Sequence, residues 1–80
     1  MKEEKQLLND LKNLISRETG VNLEEIMLNS HFEDDLNIAS FEFANLMVTV
    51  EEEFNVEIPP EDIEKIKIVQ DLLHAVEDNQ

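Results

Sequence analysis

Apolar residues recur with helical spacing in two long segments of the chain. Leucines and one isoleucine form a single stripe in the first segment, with charged residues opposite, which predicts a helix from about Glu3 to Glu18. Gly20 follows, suited to the left-handed conformation that ends many helices. The second segment predicts a helix over Ser40–Asn55. The stripes are Leu7, Leu8, Leu11, Leu14 and Ile15 in the first helix, and Phe43, Leu46, Met47, Val50 and Phe54 in the second.

Two prolines, Pro59 and Pro60, separate the second helix from the rest of the chain. Proline cannot continue a helix but suits its first turn, so a short third helix is predicted over Glu61–Ile66. A fourth helix is predicted over Ile68–Glu77, and no alternating strand pattern is present. The predicted fold class is therefore all-α: a four-helix bundle with a short third helix, forming one domain over residues 1–80. The fourth helix is expected to bury Val69, Leu72, Leu73 and Val76.

The connection between the first two helices, from Val21 to Ala39, is long for a small domain. Long ordered loops are usually functional. Asn22 and Glu25 predict a short capped turn near its start. Apolar residues are expected to hold the loop to the core, and these are Val21, Ile26, Leu28, Phe32 and Leu36.

Charge and composition narrow the possible functions. The net charge of −14 argues against binding nucleic acid or an anionic membrane, since both require basic surfaces. The segment from Val21 to Glu64 has no lysine or arginine, which favours basic partners. Without cysteine, any thiol chemistry would need a cofactor. The sequence has no transmembrane or signal segment, so we expect a cytoplasmic protein, and we expect a monomer.

Ser40 stands where the long loop gives way to helical periodicity. A helix N-terminus has unpaired N–H groups and a partial positive charge, so it can hold a phosphate. Serine is also a favoured helix-capping residue. Position alone therefore leaves two interpretations of Ser40: the commoner role of a cap, or the attachment point of a phosphate-linked group.

The sequence around Ser40 is Asp34-Asp35-Leu36-Asn37-Ile38-Ala39-Ser40-Phe41, followed later by Glu51-Glu52-Glu53-Phe54 and Glu57-Ile58-Pro59. With Glu64-Lys65-Ile66 and Val69-Gln70 further on, the chain resembles the acyl carrier proteins from its first helix to Val76. The resemblance implies a bundle of the acyl-carrier type. It also implies that a phosphopantetheinyl transferase attaches 4′-phosphopantetheine from coenzyme A to Ser40. The arm would hold acyl groups as thioesters for fatty-acid, polyketide or related biosynthesis.

Three positions depart from the family's pattern. Ala39 replaces the aspartate before the serine, which leaves open which transferase modifies the chain, and Phe41 replaces the following leucine. Asn37 replaces a glycine, and asparagine tolerates the left-handed backbone best among the other residues. These changes indicate a specialised carrier.

Two sets of residues are predicted to serve a carrier. Apolar anchors inside a charged rim mark interfaces, so the docking face for basic-patched acyl-handling enzymes is predicted to be Phe41, Glu42, Asn45, Val48 and Glu52. Aliphatic side chains can separate at modest cost to admit an acyl chain. The predicted cleft consists of Leu46, Met47, Val50, Ile58, Ile66, Val69 and Leu73.

Other functions remain to be weighed. An aminoacyl or peptidyl carrier would differ only in its loading enzyme, and an unmodified acidic adaptor could bind basic proteins through the second helix. A calcium loop at Asp34-Asp35 lacks the central glycine and terminal glutamate, so no metal site is predicted. His31 and His74 are isolated. No nucleophile–base pair is evident, so the protein is expected to be a non-catalytic carrier.

Overall fold

The computed structural model describes residues 4–80, and within them the chain forms four α helices and no strand. A short 3₁₀ helix lies in the long loop between the first two α helices. The predicted all-α fold, with its long loop and short third helix, is therefore confirmed. The predicted start of the first helix, Glu3, lies outside the described residues. The helices are α1 (Glu4–Thr19), α2 (Ser40–Phe54), α3 (Pro60–Ile63) and α4 (Val69–Asp78), and the 3₁₀ helix is Leu23–Glu25.

The boundaries of α3 differ from the prediction of Glu61–Ile66. It begins at Pro60, whose fixed backbone suits the first helical position, and it ends at Ile63. Beyond that point the chain continues in tighter turns, in which Ile66 N–H bonds the Ile63 carbonyl at 3.1 Å.

The start of α4 is one residue later than predicted. Ile68 has an extended backbone, with φ −122° and ψ 165°, and precedes the helix as its cap. The Asp71 carboxylate accepts hydrogen bonds from the N–H groups of Lys67 and Ile68, at 3.0 and 3.2 Å. Asp71 therefore sets the helix start from inside its first turn.

Apolar side chains from α1, α2 and α4 form one core. The predicted stripe of α1 is buried apart from Leu8, which is only partly covered. Full burial of one such aliphatic side chain contributes about 1.5–3 kcal/mol, so these stripes contribute strongly to stability. The predicted buried positions of α2 and α4 are confirmed for Leu46, Met47, Val50, Val69, Leu72, Leu73 and Val76.

Backbone hydrogen bonds attach the long loop to the start of α4. The carbonyls of Leu28 and Ser30 accept from Gln70 and Val69 N–H at 2.8 and 3.1 Å. Phe32 N–H donates to the Lys67 carbonyl at 3.1 Å. These bonds fix the segment that leads into Ser40.

The predicted role of Leu28 in the core is wrong, since its side chain is 37% exposed. Its backbone makes the connection instead, through the carbonyl bond to Gln70. Ile26, Phe32 and Leu36 are buried as predicted. The core side of the loop is also formed by Ile38, which the sequence did not single out.

Two turns of the loop region have specific local causes. Gly20 has φ +80°, and its N–H bonds the Ser16 carbonyl at 2.9 Å, which confirms the left-handed cap of α1. The predicted turn after Asn22 is present, but the Asn22 side chain does not cap it. Glu25 N–H donates to the Asn22 backbone carbonyl at 2.9 Å instead.

Acidic residues near the end of α2 have different partners. The Glu51 carboxylate accepts a hydrogen bond of 2.8 Å from Ile58 N–H, which fastens the segment before the prolines to α2. Glu53 pairs with Arg17 of α1, which also contacts Glu18. Hydrogen bonds to these two carboxylates, chiefly that to Glu53, raise the pKa of Arg17 above its ordinary value.

None of the helices described between residues 4 and 80 has the length and apolar character needed to cross a membrane.

Candidate functional site

Ser40 is the first residue of α2, and its side chain is exposed. The cap is Ala39, which has an extended backbone (φ −70°, ψ 162°) and whose carbonyl accepts the first helical bond from Phe43 N–H at 2.9 Å. The interpretation of Ser40 as the capping residue is therefore wrong. Its hydroxyl makes no hydrogen bond to any residue of the described chain, so it remains available for chemistry.

The first turn of α2 keeps donors close to that hydroxyl. Glu42 accepts a hydrogen bond of 3.1 Å from Ala39 N–H through its carboxylate. This is one half of a capping box, and the other half is missing because the methyl group of Ala39 cannot accept a hydrogen bond. The N–H groups of Ser40, Phe41 and Glu42 are the unpaired amides of this first turn. A phosphate on Ser40 would therefore lie beside free N–H donors and the positive end of the helix dipole.

The turn before Ser40 is held by short-range bonds. His31 carbonyl accepts from Asp35 and Leu36 N–H, each at 3.0 Å, and the Asp35 carboxylate accepts from His31 N–H at 2.8 Å. Asn37 has φ 58°, which confirms the left-handed conformation expected of it. The side chain of Ile38 is buried, which anchors the loop to the core two residues before Ser40.

A cavity of about 540 Å³ opens beside Ser40. It runs between the long loop, the first turns of α2 and the α3 region. Its charged residues are Glu33, Glu64 and Lys67. Its larger apolar lining residues are Phe32, Ile38, Phe43, Ile63 and Ile66.

The residues of the predicted cleft are not brought together in one opening. Ile66 lines the cavity beside Ser40, whereas Ile58 is buried and lines a separate cavity at the opposite end of α2. The others are closed within the core, each at most 2% exposed: Leu46, Met47, Val50, Val69 and Leu73. Their contact with a cargo stays a prediction that needs the core to open.

Sequence reasoning missed most of the residues around the cavity. Phe43 could have been found, because it lies on the core stripe less than one turn from Ser40. Phe32 and Ile38 could not, since their approach depends on how the loop folds. Ile38 N–H bonds the Phe32 carbonyl at 2.8 Å, a contact that no side-chain pattern encodes.

The predicted docking face lies on the exposed side of α2. Phe41 is 71% exposed and Val48 is 55% exposed, with Asn45 and Glu52 also exposed. Glu42 differs, because it is partly buried and its carboxylate is engaged by Ala39. Val48 and Glu52 also line the cavity near the C-terminal end of α2. Their contact with a partner stays a prediction.

Metal ligands are not clustered in the described part of the chain, where no group of three or more acidic, histidine or cysteine side chains could hold an ion. His31 and His74 are both exposed.

The chain is similar in sequence to known carrier proteins. Residues 9–76 match the family described as "Phosphopantetheine attachment site". An acyl carrier protein of Wolinella succinogenes is 36% identical over 74 residues, covering 92% of this chain and 97% of its own length. An acyl carrier protein of Thermosynechococcus vestitus is 37% identical over 71 residues, covering 89% of this chain and 88% of its own length. The chain belongs to the acyl carrier protein family.

Phosphopantetheine is accordingly the cofactor of this carrier. The family works with acyl-handling enzymes and with a phosphopantetheinyl transferase. The residues at the start of α2 fit such a group, because the Ser40 hydroxyl is exposed and unbonded within the described residues and would lose no contact on attachment. Free amides of the first turn lie next to it for the phosphate oxygens.

Proposed function

We propose that Ser40 is the phosphopantetheine attachment site. On this proposal, residues 1–80 form a single carrier domain that holds acyl intermediates for fatty-acid, polyketide or related biosynthesis. The protein itself catalyses nothing and works as a monomer in the cytoplasm. The cofactor ends in a thiol, which supplies the thioester linkage to the acyl group.

The supporting observation is a comparison of the chain's three serines. Ser16 is half-buried and donates to the Val21 carbonyl at 2.6 Å. Ser30 is buried; its hydroxyl donates to the Glu25 carbonyl at 3.1 Å and accepts from Met27 N–H at 3.0 Å. Modifying either would break loop contacts. Ser40 is the exposed serine, and it stands at a helix start.

On this proposal, the arm is transferred from coenzyme A to the hydroxyl group of Ser40. Ser40 Oγ forms a bond to the pantetheine-bearing phosphorus of coenzyme A, and the pyrophosphate P–O bond breaks to release adenosine 3′,5′-bisphosphate. Ser40 Oγ has no hydrogen-bond partner in the described chain that could take its proton, so on this proposal a base of the transferase accepts it. Glu42 is the nearest acid in sequence, and its carboxylate is already bonded to Ala39 N–H.

The docking face is part of the proposal. Phe41, Val48 and Glu52 are exposed on α2 and follow Ser40 along the helix. A basic enzyme attracted by the acidic surface would then bury Phe41 and Val48 while reaching the arm. Glu42 and Asn45 complete this face.

The test is the intact mass of the protein after incubation with coenzyme A and a broad-specificity phosphopantetheinyl transferase. We expect a gain of one phosphopantetheine in the wild type and in Ser16→Ala, but none in Ser40→Ala. Circular dichroism checks that each variant is folded. Modification that persists in Ser40→Ala would contradict the assignment. A wild type that several transferases leave unmodified would favour the unmodified adaptor.

A further inference from the structure

Phe32 and Phe43 form a continuous aromatic wall in the cavity beside Ser40. Both side chains line it, and their ring centroids are 5.0 Å apart with the planes inclined at 56°. This separation lies in the favourable range for a tilted aromatic pair. One ring comes from the long loop and the other from α2, so the wall joins two separate elements.

Phe43 stands between Ser40 and the core along α2. It lies three residues after Ser40, a rise of about 4.5 Å, on the stripe that faces the core. Leu46 and Met47 are the next residues of that stripe, at 1% and 2% exposure, and neither lines the cavity. An acyl chain that enters beside Ser40 and extends along α2 toward Leu46 and Met47 would therefore have to pass Phe43.

Phe32 is the fixed half of the pair. It is 4% exposed, its N–H donates to the Lys67 carbonyl at 3.1 Å, and its carbonyl accepts from Ile38 N–H at 2.8 Å. Its backbone is therefore held at the junction of the loop with α4, and its side chain is buried. Phe43 is only partly buried, so it is the member of the pair that a substitution can remove at the lower cost to the core.

Charged residues also line the cavity. Glu33, Glu64 and Lys67 line it together with Ser40, while Ile38, Ile63 and Ile66 provide its apolar surface. A methylene chain gains free energy only where it contacts apolar surface. The apolar surface available to a chain in this cavity is therefore limited to these isoleucines and the aromatic pair.

We propose that the Phe32–Phe43 pair is the specificity-determining end wall of this cavity and restricts the sheltered cargo to short acyl chains. The proposal rests on the proposed function, since it needs the cargo to be tethered at Ser40. It concerns the length of chain that the folded protein protects and assigns no chemical step to either phenylalanine.

The experiment uses the full chain loaded with a series of acyl-pantetheine arms from acetyl to dodecanoyl. For each protein, the melting temperature of the acyl form is compared with that of the same protein carrying the unacylated arm. A chain that binds only the folded state raises this difference. Because each variant is its own reference, the comparison is corrected to first order for a loss of basal stability.

The variants are Phe43→Val, which removes the ring, and Phe54→Val as the matched control. Phe54 is also a partly buried phenylalanine of α2, at the end remote from Ser40. Phe43→Leu replaces Phe43→Val if the latter does not fold. We expect the gain in melting temperature to level off at a short chain in the wild type and in Phe54→Val. In Phe43→Val it should continue to rise with longer chains.

The outcomes separate the two proposals. Absence of the phosphopantetheine mass gain at Ser40 overturns the proposed function and this inference with it. Normal loading with the same plateau in wild type and Phe43→Val overturns the inference alone. A wild-type gain that rises steadily to dodecanoyl also overturns it, because the aromatic pair would then not stop the chain.

Discussion

The Glu42 carboxylate accepts a hydrogen bond of 3.1 Å from the backbone N–H of Ala39, the residue before Ser40. An acid predicted to serve the docking face therefore also holds the start of the helix that presents Ser40. The reciprocal contact is impossible, since the side chain of Ala39 has no acceptor. Among the described residues, Glu42 is the side chain bonded to the cap, so substituting it changes the site as well as the surface charge.

The first prediction separates these two roles of Glu42. Glu42→Gln and Glu42→Ala remove the same charge, but only the glutamine can still accept from Ala39 N–H. We expect the alanine variant to unfold with a free energy lower than that of the glutamine variant by about 0.5–1.5 kcal/mol. Urea unfolding followed by circular dichroism measures the difference. Equal stability of the two variants would show that the hydrogen bond contributes nothing.

The second prediction concerns two adjacent glutamates. Glu51 accepts from Ile58 N–H at 2.8 Å, whereas Glu52 is exposed on the docking face. Glu51→Ala leaves the N–H of a buried residue without its charged acceptor, so we expect a loss of about 1.5–3 kcal/mol in the free energy of unfolding. Glu52→Ala removes the same charge and should stay within about 0.5 kcal/mol of the wild type. Urea titrations of both decide it; matching losses would rule out a specific role for Glu51.

The environments of the neighbouring glutamates 51–53 were only partly predictable from the sequence. Periodicity placed Glu52 with Phe41 and Val48, and the structure leaves all three exposed. The contacts of Glu51 and Glu53 could not be predicted in the same way. Their partners, Ile58 N–H and Arg17, come from segments whose approach depends on tertiary packing.

The helices were predictable and the loop was not, for a physical reason. The stripes of α1 and α4 record burial directly in residue identity, so Leu11 or Leu72 could be placed from spacing alone. The loop is held largely by backbone bonds, such as that from Gln70 N–H to the Leu28 carbonyl. Every residue has a carbonyl, so this bond left no signal, and Leu28 was assigned to the core from its side chain. The contact between Phe32 and Phe43 was unpredictable for the same reason, since the fold of the loop brings Phe32 to α2.

The third prediction concerns salt. A net charge of −14 on this chain makes the compact state repel itself. Raising sodium chloride from low to physiological concentration shortens the screening length to about 8 Å and should raise the melting temperature. Millimolar magnesium or calcium should act in the same direction. The double variant Glu24→Gln, Glu25→Gln removes two exposed charges and should show a weaker salt dependence. A wild-type melting temperature that does not change with salt or divalent ion would contradict this explanation.

The last prediction divides the docking face into steering and anchoring residues. Glu52 tests steering better than Glu42 does, because Glu42 also supports the helix start. Charges at the rim of an interface act mainly on association, so Glu52→Lys should slow binding to the phosphopantetheinyl transferase, and the deficit should shrink as salt is added. Phe41 is 71% exposed in the free protein, so Phe41→Ala should leave the fold intact. It removes an apolar anchor that binding would desolvate, so dissociation should be faster by roughly tenfold, or ~1.4 kcal/mol. Stopped-flow binding at two salt concentrations measures both rate constants. The division fails if the two variants change the same rate constant to the same extent, or if Phe41→Ala acts chiefly on a salt-dependent association rate.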